Sequence, residues 1–183
     1  MTVAVTGASG GVIGIRLIEE LIERGCEVHA IVTAAAREVL RHELGRECRI
    51  PPRAVQHGER DPLSRLNSSS FMADAMVVAP CSMKTLAGIA SGYADNLVVR
   101  AADAVLRTGR RLVLVPRETP LSLSALENMV RLRRDGAVIL PPCVAYYHRP
   151  RSVDAVTDYF IGKILDVLGL ENSLYARWGE GEA

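Results

Sequence analysis

The chain of 183 residues is poor in the features that mark several common kinds of protein. Its four cysteines, Cys26, Cys48, Cys81 and Cys143, stand far apart, with neither a Cys-x-x-Cys pair nor the Cys/His spacing of a zinc site. No disulfide framework or metal centre is expected, and reduced thiols in a reducing compartment are the simplest reading. The net charge is only +1, which gives no basic face for nucleic acid or for an anionic membrane. No apolar run approaches the roughly 18 residues of a membrane span, and no charged-then-apolar leader precedes Thr2. The expectation is a soluble, cytoplasmic protein with no nucleic-acid or membrane partner. Lysine is nearly missing: Lys84 and Lys163 are the only two, and arginine supplies the rest of the 22 basic residues. Arginine suits bidentate phosphate binding, although genome composition can produce the same bias.

What the chain has is apolar residues, 49% of the total, enough for a full core. The length predicts one domain over 1–183, with 171–183 as a C-terminal tail, and is too short for a two-domain dehydrogenase. Strand-like runs alternate with helix-like ones. Strands are predicted at 2–5, 27–33, 75–80, 111–116 and 137–140, and a short one near Val55 in the irregular, proline-bearing stretch 46–67. Helices are predicted up to Arg24, over 34–44, from Ser82 to about Gly92, then, after a loop at 93–96, through about Arg107, over 121–134 and over 152–168. The first should bury Ile15, Ile18, Leu21 and Ile22; the last, Val153, Val156, Phe160, Ile164 and Val167. This order predicts an α/β, three-layer, doubly wound, Rossmann-like fold with a mostly parallel sheet.

Ligands of such sheets bind beyond the carboxyl ends of the strands, here 6–11, 33–36, 80–85, 116–119 and 141–148. In TGASGGVIG, the glycines at 7, 10 and 14 allow a tight turn and close backbone approach, and Ser9 adds a hydroxyl beside the amides of the next helix. Phosphate is the natural guest; a tight turn with nothing bound is the plain alternative. The spacing is not the Gly-x-Gly-x-x-Gly of dinucleotide sites, and the second strand ends in Thr33 rather than an acid, which argues for a mononucleotide. Ser82 is as readily a helix cap as a ligand contact, but Lys84 and Thr85 in the same turn go beyond a cap. Cys81 reads as a packed small residue. Arg117 and Glu118 leave a buried strand together, Arg117 able to fork onto a phosphate and Glu118 to move a proton, unless they merely decorate a loop. Arg100, Arg107, Tyr147 and Lys163 would complete a second anion site if the fold brought them together.

The motifs TGASG, PCSMKTLAGIASGYADNL with Arg100 behind it, LVLVPRETPLS, GAVILPP…YYHRP and the closing RWGE occur in this order over nearly the whole chain. In these the chain resembles the UbiX-type flavin prenyltransferases. The resemblance implies a flavoprotein fold and transfer of a dimethylallyl group from dimethylallyl phosphate to N5 and C6 of reduced FMN, without a metal. Its product, prenylated FMN, would serve a UbiD-type decarboxylase. By motif, Gly7, Ala8, Ser9, Thr33, Ser82, Met83, Lys84, Thr85 and Arg117 would bind FMN, and Arg107, Tyr147 and Lys163 the prenyl phosphate. Ser9, Glu43, Arg100 and Glu118 would take part in the chemistry, Glu43 from a neighbouring subunit of a homo-oligomer, typically a dodecamer. The chain departs from the family by lacking an aromatic residue at 61–66, by Arg107 where many members have lysine, and by Lys163 where others have arginine. Two other readings compete: an FMN-dependent decarboxylase of cysteinyl or phosphopantothenoylcysteine substrates, and a non-catalytic FMN carrier.

Overall fold

Short runs rich in branched side chains build the sheet. In the computed structural model, which describes residues 1–45 and 47–179, Thr2–Val5 (β1) and His29–Val32 (β2) run parallel, Val3 beside Ala30 and Val5 beside Val32. Val55–His57 (β3) pairs with β2 at one edge. On the other side of β1 come Ala75–Cys81 (β4), Arg111–Pro116 (β5) and Val138–Ile139 (β6). The order is β3-β2-β1-β4-β5-β6 and every pairing is parallel. The predicted strands are all present, trimmed at the second and sixth and lengthened by Cys81 at the fourth. Arg46, which opens the predicted irregular stretch, and 180–183, which close the predicted tail and include the last residue of RWGE, lie outside the described residues.

Helices carry most crossovers: Gly11–Glu23 (α1), Ala34–Leu44 (α2), Met83–Ser91 (α3), Leu97–Arg107 (α4) and Leu123–Arg134 (α5). The long return from β3 to β4 has only a 3-10 turn at Arg65–Asn67. Because the chain winds outward from β1 to β3 and then crosses back to β4, the exits of β1 and β4 lead to opposite sides and part to leave a crevice.

Alternate strand residues face opposite sides. Ala4, Met76, Val78, Leu112 and Leu114 enter one core with Leu86 of α3, Val98 of α4 and Leu132 of α5. Val5 faces α1, where a Cβ on Gly14 would come within 2.7 Å of its Cγ2. With helices on both faces, every residue of β1, β2 and β4 is buried. In α1 the predicted face is buried, and Leu17, Ile18 and Leu21 are fully so, each contributing about 1.5–3 kcal/mol. The helix ends at Arg24, followed by Gly25 at φ +77°.

The chain gathers into two compact units, Met1–Pro141 and a second that starts at Pro142. The second holds Val153–Leu168 (α6), capped by Ser152, whose hydroxyl accepts the Ala155 N–H at 3.1 Å. Its buried stripe is Thr157, Phe160, Ile161, Ile164, Leu165 and Leu168. Phe160 and Ile164 of the predicted stripe are buried, but the prediction is corrected at Val153, which is 80% exposed, and at Val156 and Val167, which are only partly buried. The helix is apolar on more than one face, so periodicity alone allows neighbouring stripes and packing selects one.

Candidate functional site

The site is assembled from strand exits and the helix starts that follow them. After β1, the Ala8 N–H donates to the Thr6 carbonyl at 2.7 Å, and Gly10 at φ +86° turns the loop into α1. A Cβ at Gly7 would stand 2.6 Å from that of Ala35, so only glycine lets this loop lie against the start of α2. After β2, Thr33 caps α2 by accepting the Ala36 N–H at 3.1 Å. After β4, Ser82 caps α3 through the Thr85 N–H at 3.3 Å and donates to the Thr85 hydroxyl at 3.1 Å. After β5, the Arg117 N–H donates to the Cys81 carbonyl at 3.2 Å, which fixes that exit beside the start of α3.

These pieces enclose a cavity of about 740 Å3. Gly7, Ala8, Ser9, Thr33, Ser82, Met83, Lys84, Thr85, Arg117 and Glu118 all line it. The amino ends of α2 and α3 and the cap residue of α4 line it beside the loop that leads into α1, and the amides and aligned dipoles of helix starts attract phosphate. Lys84 reaches Asp95 at 3.5 Å and is otherwise largely exposed; Glu118 accepts the Thr119 N–H at 2.9 Å. Cys81 is fully buried beneath the floor, and burial pushes its thiol up to about 12, which leaves it protonated and unreactive. No group of three or more His, Cys, Asp or Glu among the described residues is placed to hold a metal ion.

Thr6, inside the first predicted strand exit, lines the cavity too, and sequence reasoning missed Val39, Glu59 and Asn96, which also line it. Asn96, read as the end of a loop, has a side chain that suits a helix cap, and in the structure it accepts the Val99 N–H at 3.1 Å. Glu59 lies in the irregular stretch and has no local signal. Gly14 plays a different part from the expected approach to a ligand. It lies inside α1 against β4, where a Cβ would sit 2.1 Å from the Ala79 carbonyl oxygen.

Other candidates lie elsewhere. Both carboxylate oxygens of Glu43 accept the Gly10 N–H of the same chain, at 3.2 Å each. Arg100 and Arg107 share the face of α4 that carries Asp103, at 3.7 Å and 2.9 Å, and neither lines the cavity. Tyr147 and Lys163 belong to the second unit. Tyr147 meets the rings of Trp178 at 5.3 Å and His148 at 5.5 Å, both edge-on. Lys163 lies 3.8 Å from Asp166 and 3.4 Å from the Tyr175 hydroxyl. Burial alone would raise the Asp166 carboxyl, but hydrogen bonds from Arg177, Tyr175 and Asn172 outweigh it and hold the group below its ordinary value.

A parallel sheet with helix amino ends, hydroxyls and an arginine around a switch-point cavity defines a mononucleotide-binding α/β protein. Residues 1–165 match the family model described as Flavoprotein. The chain is 46% identical over 181 residues to the flavin prenyltransferase UbiX of Methanothermobacter thermautotrophicus, covering 96% of this chain and 93% of that one. Among solved structures it is similar to AnUbiX in complex with FMN and dimethylallyl pyrophosphate, at 39% identity and TM-score 0.94, covering 99% and 97% of the two chains. It is also similar to a dodecameric FMN-dependent UbiX-like decarboxylase from Escherichia coli O157:H7, at 43% identity and TM-score 0.91, covering 97% of each. The chain belongs to the flavoprotein family and, within it, to the UbiX flavin prenyltransferases. The cysteinyl-decarboxylase alternative is not favoured.

Proposed function

We propose that this protein is a metal-independent flavin prenyltransferase that moves a dimethylallyl group from dimethylallyl phosphate to N5 and C6 of reduced FMN. The observation that carries the reading is the convergence of the glycine loop, the Ser82–Thr85 turn and the Arg117–Glu118 pair on one cavity. The residues fit the flavin nucleotide: the close approach of Gly7 to Ala35 leaves backbone rather than side chain facing the ligand, and the donor set is amides, hydroxyls, one ammonium and one guanidinium. The reduced flavin supplies the nucleophilic ring positions.

Gly7, Ala8, Ser9 and Thr33 offer amides and hydroxyls to the nucleotide, Ser82, Met83, Lys84 and Thr85 hold its other side, and Arg117 forks onto it. Arg107, Tyr147 and Lys163 bind the prenyl phosphate and stabilise the anion as the carbon–oxygen bond breaks, so that the electron pair leaves with phosphate. Glu118 accepts the proton released on ring closure, and Arg100 supports the developing charge. Glu43, Arg100 and Arg107 lie outside the cavity of their own chain, so we assign them to sites completed between subunits of a homo-oligomer, a dodecamer. The product passes to a UbiD-type decarboxylase in the cytoplasm. We treat 1–183 as one functional domain whose tail is 171–183.

The test is anaerobic incubation of the protein with reduced FMN and dimethylallyl phosphate, followed by mass spectrometry. A flavin heavier by one five-carbon unit is expected. Folded protein that binds FMN and leaves its mass unchanged would overturn the assignment and favour a carrier.

A further inference from the structure

Glu59 ties together two helices that end at the cavity. Its main-chain carbonyl accepts the Leu97 N–H at 2.8 Å, at the first residue of α4. Its side-chain carboxylate accepts the Ala34 N–H at 3.3 Å, at the first residue of α2, and the residue lines the cavity itself. The chain's own oxygens thus serve the first turn of α2 from two sides, with Thr33 on the Ala36 N–H and Glu59 on the Ala34 N–H.

The first turn of a helix stabilises an anion, and that stabilisation fades beyond it. Here a tethered carboxylate already takes part of it. A nucleotide phosphate approaching the same turn must bear the Glu59 charge or displace it. Asn96, Thr33 and Ser82 cap their helices with neutral oxygens and impose no such penalty.

We infer that Glu59 is an affinity-setting residue of the cavity, a tethered anion that competes with the flavin phosphate for the amino end of α2. The inference rests on the proposed prenyltransferase reading and adds a consequence to it. In that reaction the flavin leaves as product, so a competing anion favours release, and its return to Ala34 holds α2 and α4 in place between turnovers.

Glu59→Gln keeps a carbonyl oxygen for Ala34 and removes the charge. Equilibrium binding of FMN and of riboflavin, which lacks the phosphate, is measured at low and moderate salt. FMN affinity is expected to rise roughly three- to tenfold in the variant, more at low salt, with riboflavin unchanged. Glu59→Ala should move the FMN-to-riboflavin ratio in the same direction. In multiple turnover the Gln variant should release product more slowly. Equal changes for both flavins, or FMN binding that is unchanged or weaker, would overturn the inference. A clear FMN-to-riboflavin contrast with no prenylated product in wild type would instead overturn the prenyltransferase reading alone, and a wild-type protein that binds no FMN would overturn both.

Discussion

The hydroxyl of Thr6 accepts the N–H of Ser82 at 2.8 Å, across the crevice between the exits of β1 and β4. The same hydroxyl donates to the Pro80 carbonyl at 2.8 Å, and Thr6 is 1% exposed. One buried side chain therefore fixes the spacing of the glycine loop and the start of α3, the two pieces proposed to grip the nucleotide from either side. Thr6→Val keeps the shape and leaves both main-chain groups without this partner. A loss of about 1–3 kcal/mol in urea unfolding is expected, with weaker FMN binding.

Gly14→Ala tests the close contact of α1 with the sheet. Backbone cannot yield as a flexible side chain can, and the added carbon would meet the Ala79 carbonyl oxygen at 2.1 Å. The variant should lose about 1–3 kcal/mol or more, read as a lower Tm, and FMN affinity should fall with it because β4 leads directly into Ser82. Unchanged stability would refute this packing.

The imidazoles of His29 and His57 are joined, Nδ1 to Nε2, at 2.9 Å, in a chain that runs from Glu27 at 3.0 Å to Ser64 at 2.8 Å. Burial pushes His29 below 6.5, although the Glu27 carboxylate pulls it partly back. Burial, and then the charge of His29, lowers His57. Below 6.5 the unfolded chain therefore holds more protons than the folded one. Their contribution to stability is present in full above that value and is lost as the pH falls through the lowered folded values. Urea midpoints between about pH 5 and about pH 8 should fall toward acid, and a double His29→Gln, His57→Gln variant should show a flatter profile.

Arg117→Ala should weaken FMN binding roughly 10- to 100-fold, the range of a lost charge-assisted hydrogen bond, with riboflavin much less affected. Arg117→Lys should recover only part, because an ammonium cannot reproduce the fork. Flavin fluorescence titration reads both.

Much of the fold could be read locally. The run at β4, and those at β1 and β5 after their opening Thr2 and Arg111, are apolar because both faces of the sheet are covered, and that pattern alone signals a central parallel strand. Helix caps at Thr33, Ser82, Asn96, Ser122 and Ser152 follow from short polar side chains that reach the third amide beyond them. The stripe of α6 followed only at Phe160 and Ile164, because its apolar residues form more than one candidate face. Glu59 could not be found at all, since its partners at 34 and 97 are remote in sequence and its own neighbourhood is irregular.

By itself the sequence determined the order of strands and helices, the turns that glycine makes possible and the polar residues at each strand exit. Each of these is set by steric and hydrogen-bonding preferences within a few residues. Only the tertiary structure decided that four strand exits share one cavity, that Gly14 packs rather than binds, and that Arg100 and Arg107 are directed to Asp103. Convergence depends on how parallel strands order themselves around β1, a property of long-range packing that no short stretch of chain encodes.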